Sequence, residues 1–313
     1  MELTYADVCA AREIVRRYLP PTPMWSYPIL DRVADTTVLV KHENTQPTGA
    51  FKVRGGLVLL ASLPDPQRGT VTYSTGNHAQ SMAYASRLFG APCTVVMPAS
   101  ANPAKAAAVE AWGAEVVLTG DDLAAAEEHA AKLAAETGAR LVSCGDTVEL
   151  LAGVGTLYQE ILEARPDLAA IVVPVGSGSG AAAATVVAGA LAPACEIIAV
   201  QSSASPAAHD AWQTAVLEPR PNRTRVDGLA TGRPFALTQR HLRDLADFVL
   251  VTDDQIAGAQ RVLARDAHTL SEGAGAAALA AVLADRQRFA GREIAVVCSG
   301  GNAAPGELAA LSQ

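Results

Sequence analysis

Short apolar runs alternate with alanine-rich amphipathic stretches along most of this 313-residue chain. The runs are almost uniformly apolar and do not alternate between apolar and polar positions. Because strands of a parallel sheet are covered by helices on both faces, this pattern predicts buried parallel strands. We expect such strands at residues 37–40, 70–73, 94–97, 116–118, 140–143, 170–173, 197–200, 248–251 and 293–297.

The stretches between these runs have helical periodicity, so the chain is expected to be of the α/β class, wound by right-handed crossovers. Thr4 and Asp7 have the spacing of a capping box, which predicts a first helix that ends before the prolines at positions 20 to 23. The longest irregular stretch covers residues 217–234. Irregular segments of that length are usually functional or mobile.

Composition narrows the possible partners and the compartment. Half of the residues are apolar and the net charge is −8, which argues against nucleic acid and anionic membrane surfaces as partners. The start of the chain lacks the basic and apolar regions of a signal peptide, and no apolar stretch is long enough to span a bilayer. The five cysteines show no metal-binding spacing, so we expect reduced thiols and a cytoplasmic location. They are Cys9, Cys93, Cys144, Cys195 and Cys298.

Three glycine turns each follow a predicted strand: Ser74-Thr-Gly-Asn-His78, Gly176-Ser-Gly-Ser-Gly180 and Ser299-Gly-Gly-Asn302. A strand, a glycine turn and a helix together form a typical anion site, because backbone N–H groups point out of the helix N-terminus. In open α/β sheets, such turns gather beyond the carboxyl ends of the strands. The alternatives are an ordinary helix cap for the first turn and a purely structural turn for the second.

Lys52 follows the turn Gln46-Pro-Thr-Gly-Ala-Phe51 at the expected start of a helix. A lysine amine in such a place can form a Schiff base with pyridoxal 5′-phosphate. An NAD-dependent oxidoreductase is the alternative from a different class, because residues 176–180 partly match a dinucleotide fingerprint. That reading requires an acid near Gln201 and leaves Lys52 without a role.

In their order and spacing, the motifs resemble those of the serine/threonine dehydratases, which are pyridoxal-phosphate enzymes of the tryptophan-synthase-β-like fold (fold type II). The resemblance covers nearly the whole chain, and two further motifs, at Gly153–Thr156 and Val226–Leu229, belong to it. It implies two three-layer α/β/α domains with mostly parallel sheets. Residues 69–146 would form a small domain inserted into a large one built from residues 1–68 and 147–313, and the protein would be a homodimer.

The resemblance also implies roles for individual residues around the cofactor. Lys52 would be the Schiff-base lysine and the acid/base at the substrate α-carbon, and Phe51 would pack on the ring. Asn77 would hydrogen-bond the ring's 3′-oxygen, and Ser299 the pyridine nitrogen. Glu272 and Gly228 would line the pocket. The phosphate would be bound by Gly176, Ser177, Gly178, Ser179 and Gly180.

The substrate side of the pocket follows from the same resemblance. The substrate carboxylate would be held by the backbone of Ser74, Thr75, Gly76, Asn77 and His78. Thr75, the second candidate catalytic residue, stands where serine racemases have a catalytic serine, and the change to threonine argues against racemisation. At the cation site of the racemases this chain has Gln201, Ser205 and Ala207. Neutral side chains bind a hard divalent cation poorly, so we expect no metal.

The implied reaction is an α,β-elimination from a small β-hydroxy L-amino acid, giving a 2-oxo acid and ammonia. L-Threonine is the first expected substrate and L-serine the second. Other substrates stay open within the class: threo-3-hydroxyaspartate, a hydroxyectoine-pathway compound or a β-aryl-serine. Serine racemase activity and a non-catalytic sensor of the cofactor or of an amino acid are further alternatives.

Overall fold

The computed structural model describes residues 2–311, and within that range the strands form two sheets. Nine strands lie where the apolar runs predicted them, with ends shifted by no more than two residues. The unpredicted strand, β1, has two residues, too few to show a pattern. The strands are β1 (Met24–Trp25), β2 (Thr37–His42), β3 (Thr70–Tyr73), β4 (Cys93–Met97), β5 (Glu115–Leu118), β6 (Arg140–Val142), β7 (Ala170–Pro174), β8 (Glu196–Ser202), β9 (Asp247–Val251) and β10 (Glu293–Cys298).

The helices separate successive strands through most of the chain. The first begins at the predicted capping box, where Thr4 Oγ1 accepts from the Asp7 amide at 3.3 Å and Asp7 Oδ2 from the Thr4 amide at 2.9 Å. They are α1 (Tyr5–Val15), α2 (Pro28–Ala34), α3 (Val53–Ala61), α4 (Asn77–Phe89), α5 (Pro103–Glu110), α6 (Leu123–Thr137), α7 (Val148–Ala164), α8 (Ser179–Leu191), α9 (Ala207–Thr214), α10 (Ala236–Leu242), α11 (Asp253–Asp266), α12 (Gly273–Ala284), α13 (Arg286–Phe289) and α14 (Pro305–Ala310).

The larger sheet has the order β1-β2-β10-β7-β8-β9, and all of its pairs are parallel except β1 with β2. The smaller sheet has the order β5-β4-β3-β6 and is wholly parallel. This arrangement confirms the predicted α/β class with mostly parallel sheets. The strands of the smaller sheet all lie between residues 70 and 142. We keep the division into a large domain and an inserted small domain as a proposal.

Both faces of the larger sheet are buried, which explains why its strands are uniformly apolar. In β7, Ile171 and Val173 pack into one hydrophobic core, whereas Ala170 and Val172 pack into another. Successive side chains of a strand point to opposite faces, so a strand between two cores needs apolar residues at every position. No helix within residues 2–311 combines the length and the apolar character that crossing a membrane requires.

Candidate functional site

A cavity of about 520 Å³ lies between the two sheets, at the carboxyl ends of β3, β7 and β10. The structure brings every site residue named from the sequence to its wall. These are Phe51, Lys52, Ser74, Thr75, Gly76, Asn77, His78, Gly176, Ser177, Gly178, Ser179, Gly180, Gly228, Glu272 and Ser299.

Backbone contacts fix the turn that leads to Lys52. The Phe51 amide donates to the Ser299 carbonyl at 3.1 Å, and the Gly301 amide donates to the Gly49 carbonyl at 2.8 Å. Gly49 has φ +69°, a left-handed conformation that favours glycine. The turn is therefore attached to the loop that follows β10, and Lys52 stands at the N-cap of α3.

The Lys52 amine points at the glycine-rich turn. Its Nζ lies 2.6 Å from Ser179 Oγ and 3.3 Å from Ser177 Oγ. It also lies 5.1 Å from the centre of the Phe51 ring. Burial lowers the pKa of Lys52, because an ammonium ion is poorly solvated there. A larger share of the amine is therefore neutral, the form that can attack a carbonyl or accept a proton.

A buried ion network holds α3 from the side away from the cavity. Arg54, two residues after Lys52, forms a bidentate pair with Glu43, with both contacts at 2.8 Å. It also contacts Glu160 of α7 at 2.6 Å, and Lys41 of β2 contacts the same carboxylate at 2.6 Å. The arginine and Glu43 are fully buried, and two cations balance two acids. The start of α3 is thereby tied to both β2 and α7.

The glycine-rich turn meets the N-terminus of α8. Gly178 has φ +87° and forms the N-cap of this helix, a conformation that side chains rarely adopt. A Cβ atom at Gly176 would lie 2.3 Å from the carbonyl oxygen of Gly228. The two loops therefore touch backbone to backbone. Amide groups at a helix N-terminus, with the hydroxyls of Ser177 and Ser179, can hold a phosphate-like anion.

The Ser74–His78 turn leads into α4. His78 is buried, and its Nε2 lies 2.9 Å from Thr72 Oγ1. The threonine hydroxyl donates to the Val142 carbonyl at 2.8 Å, so the histidine must donate through Nε2. Burial lowers the pKa of His78 to about 3, so the imidazole is neutral near pH 7. The turn can therefore bind an anion through backbone amides and the helix dipole.

Asn77 connects the Ser74–His78 turn to the other side of the cavity. Its Nδ2 donates to Glu272 Oε1 at 2.6 Å, and its Oδ1 accepts from Asn302 Nδ2 at 2.8 Å. Asn302 Nδ2 also donates to the Thr48 carbonyl at 2.8 Å. Burial raises the pKa of Glu272 to about 7, despite the opposing hydrogen bond from Asn77. The glutamate is thus partly protonated near neutral pH.

Several residues at this cavity had no role predicted from the sequence. Tyr73, Glu127 and Arg233 line it together, and Asn302 supports Asn77. The sequence contains only weak indications of these residues. Arg233 lies in the long irregular segment 217–234, and Asn302 is the last residue of a glycine motif. Within the described range, no group of three or more His, Cys, Asp or Glu side chains could hold a metal ion.

Comparison with known proteins places this architecture in a family. Residues 15–300 match the sequence profile of a family described as pyridoxal-phosphate dependent enzyme. The chain is 34% identical over 306 residues to L-threonine ammonia-lyase of Thermotoga maritima, covering 96% of this chain and 76% of the relative. It is 31% identical over 304 residues to beta-hydroxyaspartate dehydratase of Paracoccus denitrificans, covering 96% of each.

Its fold is similar to that of maize serine racemase, with a TM-score of 0.93, 29% identity and coverage of 98% of this chain and 96% of the other. The profile match spans most of the chain, and it includes the lysine, the first two glycine turns and the start of the third. The chain therefore belongs to the pyridoxal-phosphate dependent enzymes of fold type II.

Proposed function

We propose that the protein is an ammonia-lyase that acts on a small β-hydroxy L-amino acid, first L-threonine and second L-serine. One observation carries the proposal: the Lys52 amine lies 2.6 Å from Ser179 Oγ, in a cavity that the Ser74–His78 turn also lines. This arrangement puts a partly neutral lysine between two anion-binding helix N-termini. One suits a phosphate and the other a substrate carboxylate.

The residues of this cavity fit pyridoxal phosphate. A Cβ atom at Gly180 would lie 3.0 Å from Tyr158 Oη and 3.3 Å from Val173 Cγ1, so a larger residue would crowd the turn. An amide group carries two N–H donors, and Asn77 gives one to Glu272. Its second could be given to the 3′-oxygen of the ring. Lys52 would hold the cofactor covalently, Phe51 would contact its ring and Ser299 its ring nitrogen.

When bound, pyridoxal phosphate supplies an aldehyde that holds the substrate amine and a ring that accepts electron density from the α-carbon. Lys52, released by the substrate amine, would remove the proton from Cα through Nζ. Its lowered pKa favours this step, because the neutral amine is the base. The Thr75 hydroxyl on the cavity wall would be a second polar group near the reacting carbon.

The remaining residues of the cavity would bind and orient the substrate. The amides of residues 74–78 would fix its carboxylate, so that the Cα–H bond faces Lys52. Because His78 is neutral near pH 7, it adds no competing charge. The walls come from both sheets, and an approach of the smaller sheet toward the larger one would exclude water. Loss of the Cα proton and the β-hydroxyl together as one water would leave an enamine, and addition of one water to it would give the 2-oxo acid and ammonia.

The test is release of 2-oxo acid from purified, cofactor-loaded protein offered L-threonine, L-serine and their D-enantiomers in parallel. We expect rapid release from L-threonine. Lys52→Ala should lower the rate by several orders of magnitude, because the base and the covalent attachment are both lost. Substantial turnover in this variant without an added amine would contradict the proposal. If none of the four amino acids releases a 2-oxo acid, we expect the substrate to be an acidic or bulkier β-hydroxy amino acid.

We further propose a cytoplasmic homodimer. The support for the compartment is that all five cysteines are free, as expected of a protein kept under reducing conditions. The support for the dimer is the resemblance to the serine/threonine dehydratases. Light scattering on the purified protein measures the assembly directly.

A further inference from the structure

The charges on the cavity wall bear on which substrate side chains can enter. Among the described residues that line the cavity, the cations are Lys52 and Arg233, and the acids are Asp122, Glu127, Asp227 and Glu272. The proposed function commits Lys52 to the cofactor and the α-carbon. A second carboxylate on a substrate could therefore be paired by Arg233 alone.

Arg233 is already paired. Its Nη2 lies 2.6 Å from Glu127 Oε1 and 2.5 Å from Oε2, so both carboxylate oxygens share this nitrogen. Tyr73 completes the group, because its hydroxyl donates to Glu127 Oε1 at 2.7 Å and accepts from Arg233 Nη2 at 3.2 Å. We call these three residues the Tyr73–Glu127–Arg233 cluster.

The position of the cluster links it to the substrate. Tyr73 is the last residue of β3 and directly precedes Ser74, the first residue of the turn proposed to bind the α-carboxylate. A substrate held by that turn would lie beside this wall of the cavity, which all three residues of the cluster line. The side chains of Glu127 and Arg233 are 28% and 45% exposed, so water and a substrate can reach them.

We propose that Glu127 masks Arg233 and thereby selects β-hydroxy amino acids with an uncharged side chain over those with a β-carboxylate. The inference rests on the proposed function and names its substrate class. A β-carboxylate near the cluster is repelled by the Glu127 carboxylate and finds the charge of Arg233 already balanced, so it loses solvation for only a weak ion pair. A methyl group or a hydrogen atom at the same place carries no such penalty.

The experiment compares kcat/KM for L-threonine and L-threo-3-hydroxyaspartate in cofactor-loaded wild type and Glu127→Gln. Wild type should favour L-threonine. The variant removes the negative charge, keeps the shape and frees Arg233, so the ratio of hydroxyaspartate to threonine should rise by at least about tenfold, as expected for one charge-assisted hydrogen bond. The double variant Glu127→Gln/Arg233→Met should not show this rise in the hydroxyaspartate-to-threonine ratio, because the cation that binds the β-carboxylate is then missing.

A matched control separates masking from simple loosening of the cleft. Lys105 of α5 pairs with Asp227 and also connects the two sides of the cavity, but it does not touch the cluster. Lys105→Met should therefore leave the substrate ratio unchanged. An equal shift in Lys105→Met, a shift below tenfold in Glu127→Gln, or a wild-type preference for hydroxyaspartate would each overturn the inference.

Binding provides a readout that does not need turnover. L-Aspartate and L-2-aminobutyrate lack a β-hydroxyl, and their affinities can be measured by calorimetry on the cofactor-loaded protein. Wild type should bind L-2-aminobutyrate more tightly, and Glu127→Gln should narrow or reverse the difference. If wild type eliminates from neither β-hydroxy amino acid, the proposed function fails. These affinities then test the masking of Arg233 by themselves. A stronger wild-type affinity for L-aspartate than for L-2-aminobutyrate refutes it.

Discussion

At the scale of single residues, burial shifts three ionisable groups of the cavity toward their neutral forms. It lowers the pKa of Lys52 and of His78, and it raises the pKa of Glu272 to about 7. All three shifts have desolvation as their largest cause, since a charge loses hydration in a closed site. A lysine shifted toward its neutral form, a neutral histidine and a partly protonated acid together leave the cavity less charged than its composition suggests.

The raised pKa of Glu272 predicts a specific dependence of stability on pH. Its pKa is about 7 in the folded protein and 4.5 in the unfolded chain, so between these values the folded state binds more protons. The contribution of the protonated Glu272 carboxyl group to the free energy of unfolding is therefore complete below pH 4.5, and it is lost as the pH rises through about 7. Glu272→Gln should remove this loss, which amounts to about 3 kcal/mol by linkage.

Chemical unfolding of wild type and Glu272→Gln across this pH range measures the effect. Glu128→Gln makes the same charge change at an exposed carboxyl group and is the control. Parallel pH profiles for the wild type and Glu272→Gln would contradict the assignment.

At the scale of elements, the close approach of α3 and α7 sets where Lys52 stands. A Cβ atom at Gly153 of α7 would lie 2.4 Å from the Arg54 carbonyl oxygen and 2.7 Å from Gly55 Cα. Conversely, a Cβ atom at Gly55 of α3 would lie 2.7 Å from the carbonyl oxygen of Leu150 in α7. The backbones of the two helices are therefore in contact. The Arg54 ion network crosses the same interface and fixes its orientation.

This packing predicts opposite effects for two glycine-to-alanine changes in helices. Gly153→Ala should destabilise the protein by about 1–3 kcal/mol, because backbone atoms must move apart. It should also weaken cofactor binding, because α3 carries Lys52. Gly189→Ala in α8 meets nothing within 4 Å and should stabilise by about 0.5–1 kcal/mol. Denaturant unfolding of both variants checks the prediction, and two effects of the same sign would refute it.

At the scale of the whole molecule, the cavity lies between the two sheets, so a ligand there contacts both. Besides the cavity, ion pairs such as Arg233–Glu127 and Lys105–Asp227 connect the two sides. Surface pairs of this kind contribute little individually. A shared hydrophobic core also joins the two sides, because it contains residues of both α3 and α4. The cofactor should therefore add to an existing link between the two sheets, and its phosphate should supply much of that effect through the N-terminus of α8.

Removal of the cofactor should accordingly lower the melting temperature. At a free concentration of one thousand times Kd, pyridoxal phosphate should stabilise the protein by about 4 kcal/mol. Pyridoxal, which has the aldehyde but no phosphate, should stabilise it much less at the same concentration. Thermal unfolding with each compound tests this expectation. Equal stabilisation by the two would show that the turn at residues 176–180 does not bind the phosphate.

The sequence by itself determined the fold class, the parallel strands and the motifs that line the cavity. Uniform apolar runs such as residues 170–173 occur because both faces of the strand are buried. The glycine turns were visible because a close backbone approach excludes side chains, as between Gly176 and Gly228. These are local constraints, and each leaves its mark within a few neighbouring residues.

Only the tertiary structure decided which distant side chains meet. The Tyr73–Glu127–Arg233 cluster joins residues up to 160 positions apart, and the Asn77 contacts with Glu272 and Asn302 span 195 and 225. Ion pairs and hydrogen bonds of this kind have no periodicity along the chain. The shifts in pKa were hidden for the same reason, because desolvation depends on what packs around a group. The residues proposed to select the substrate therefore became visible only once the chain was folded.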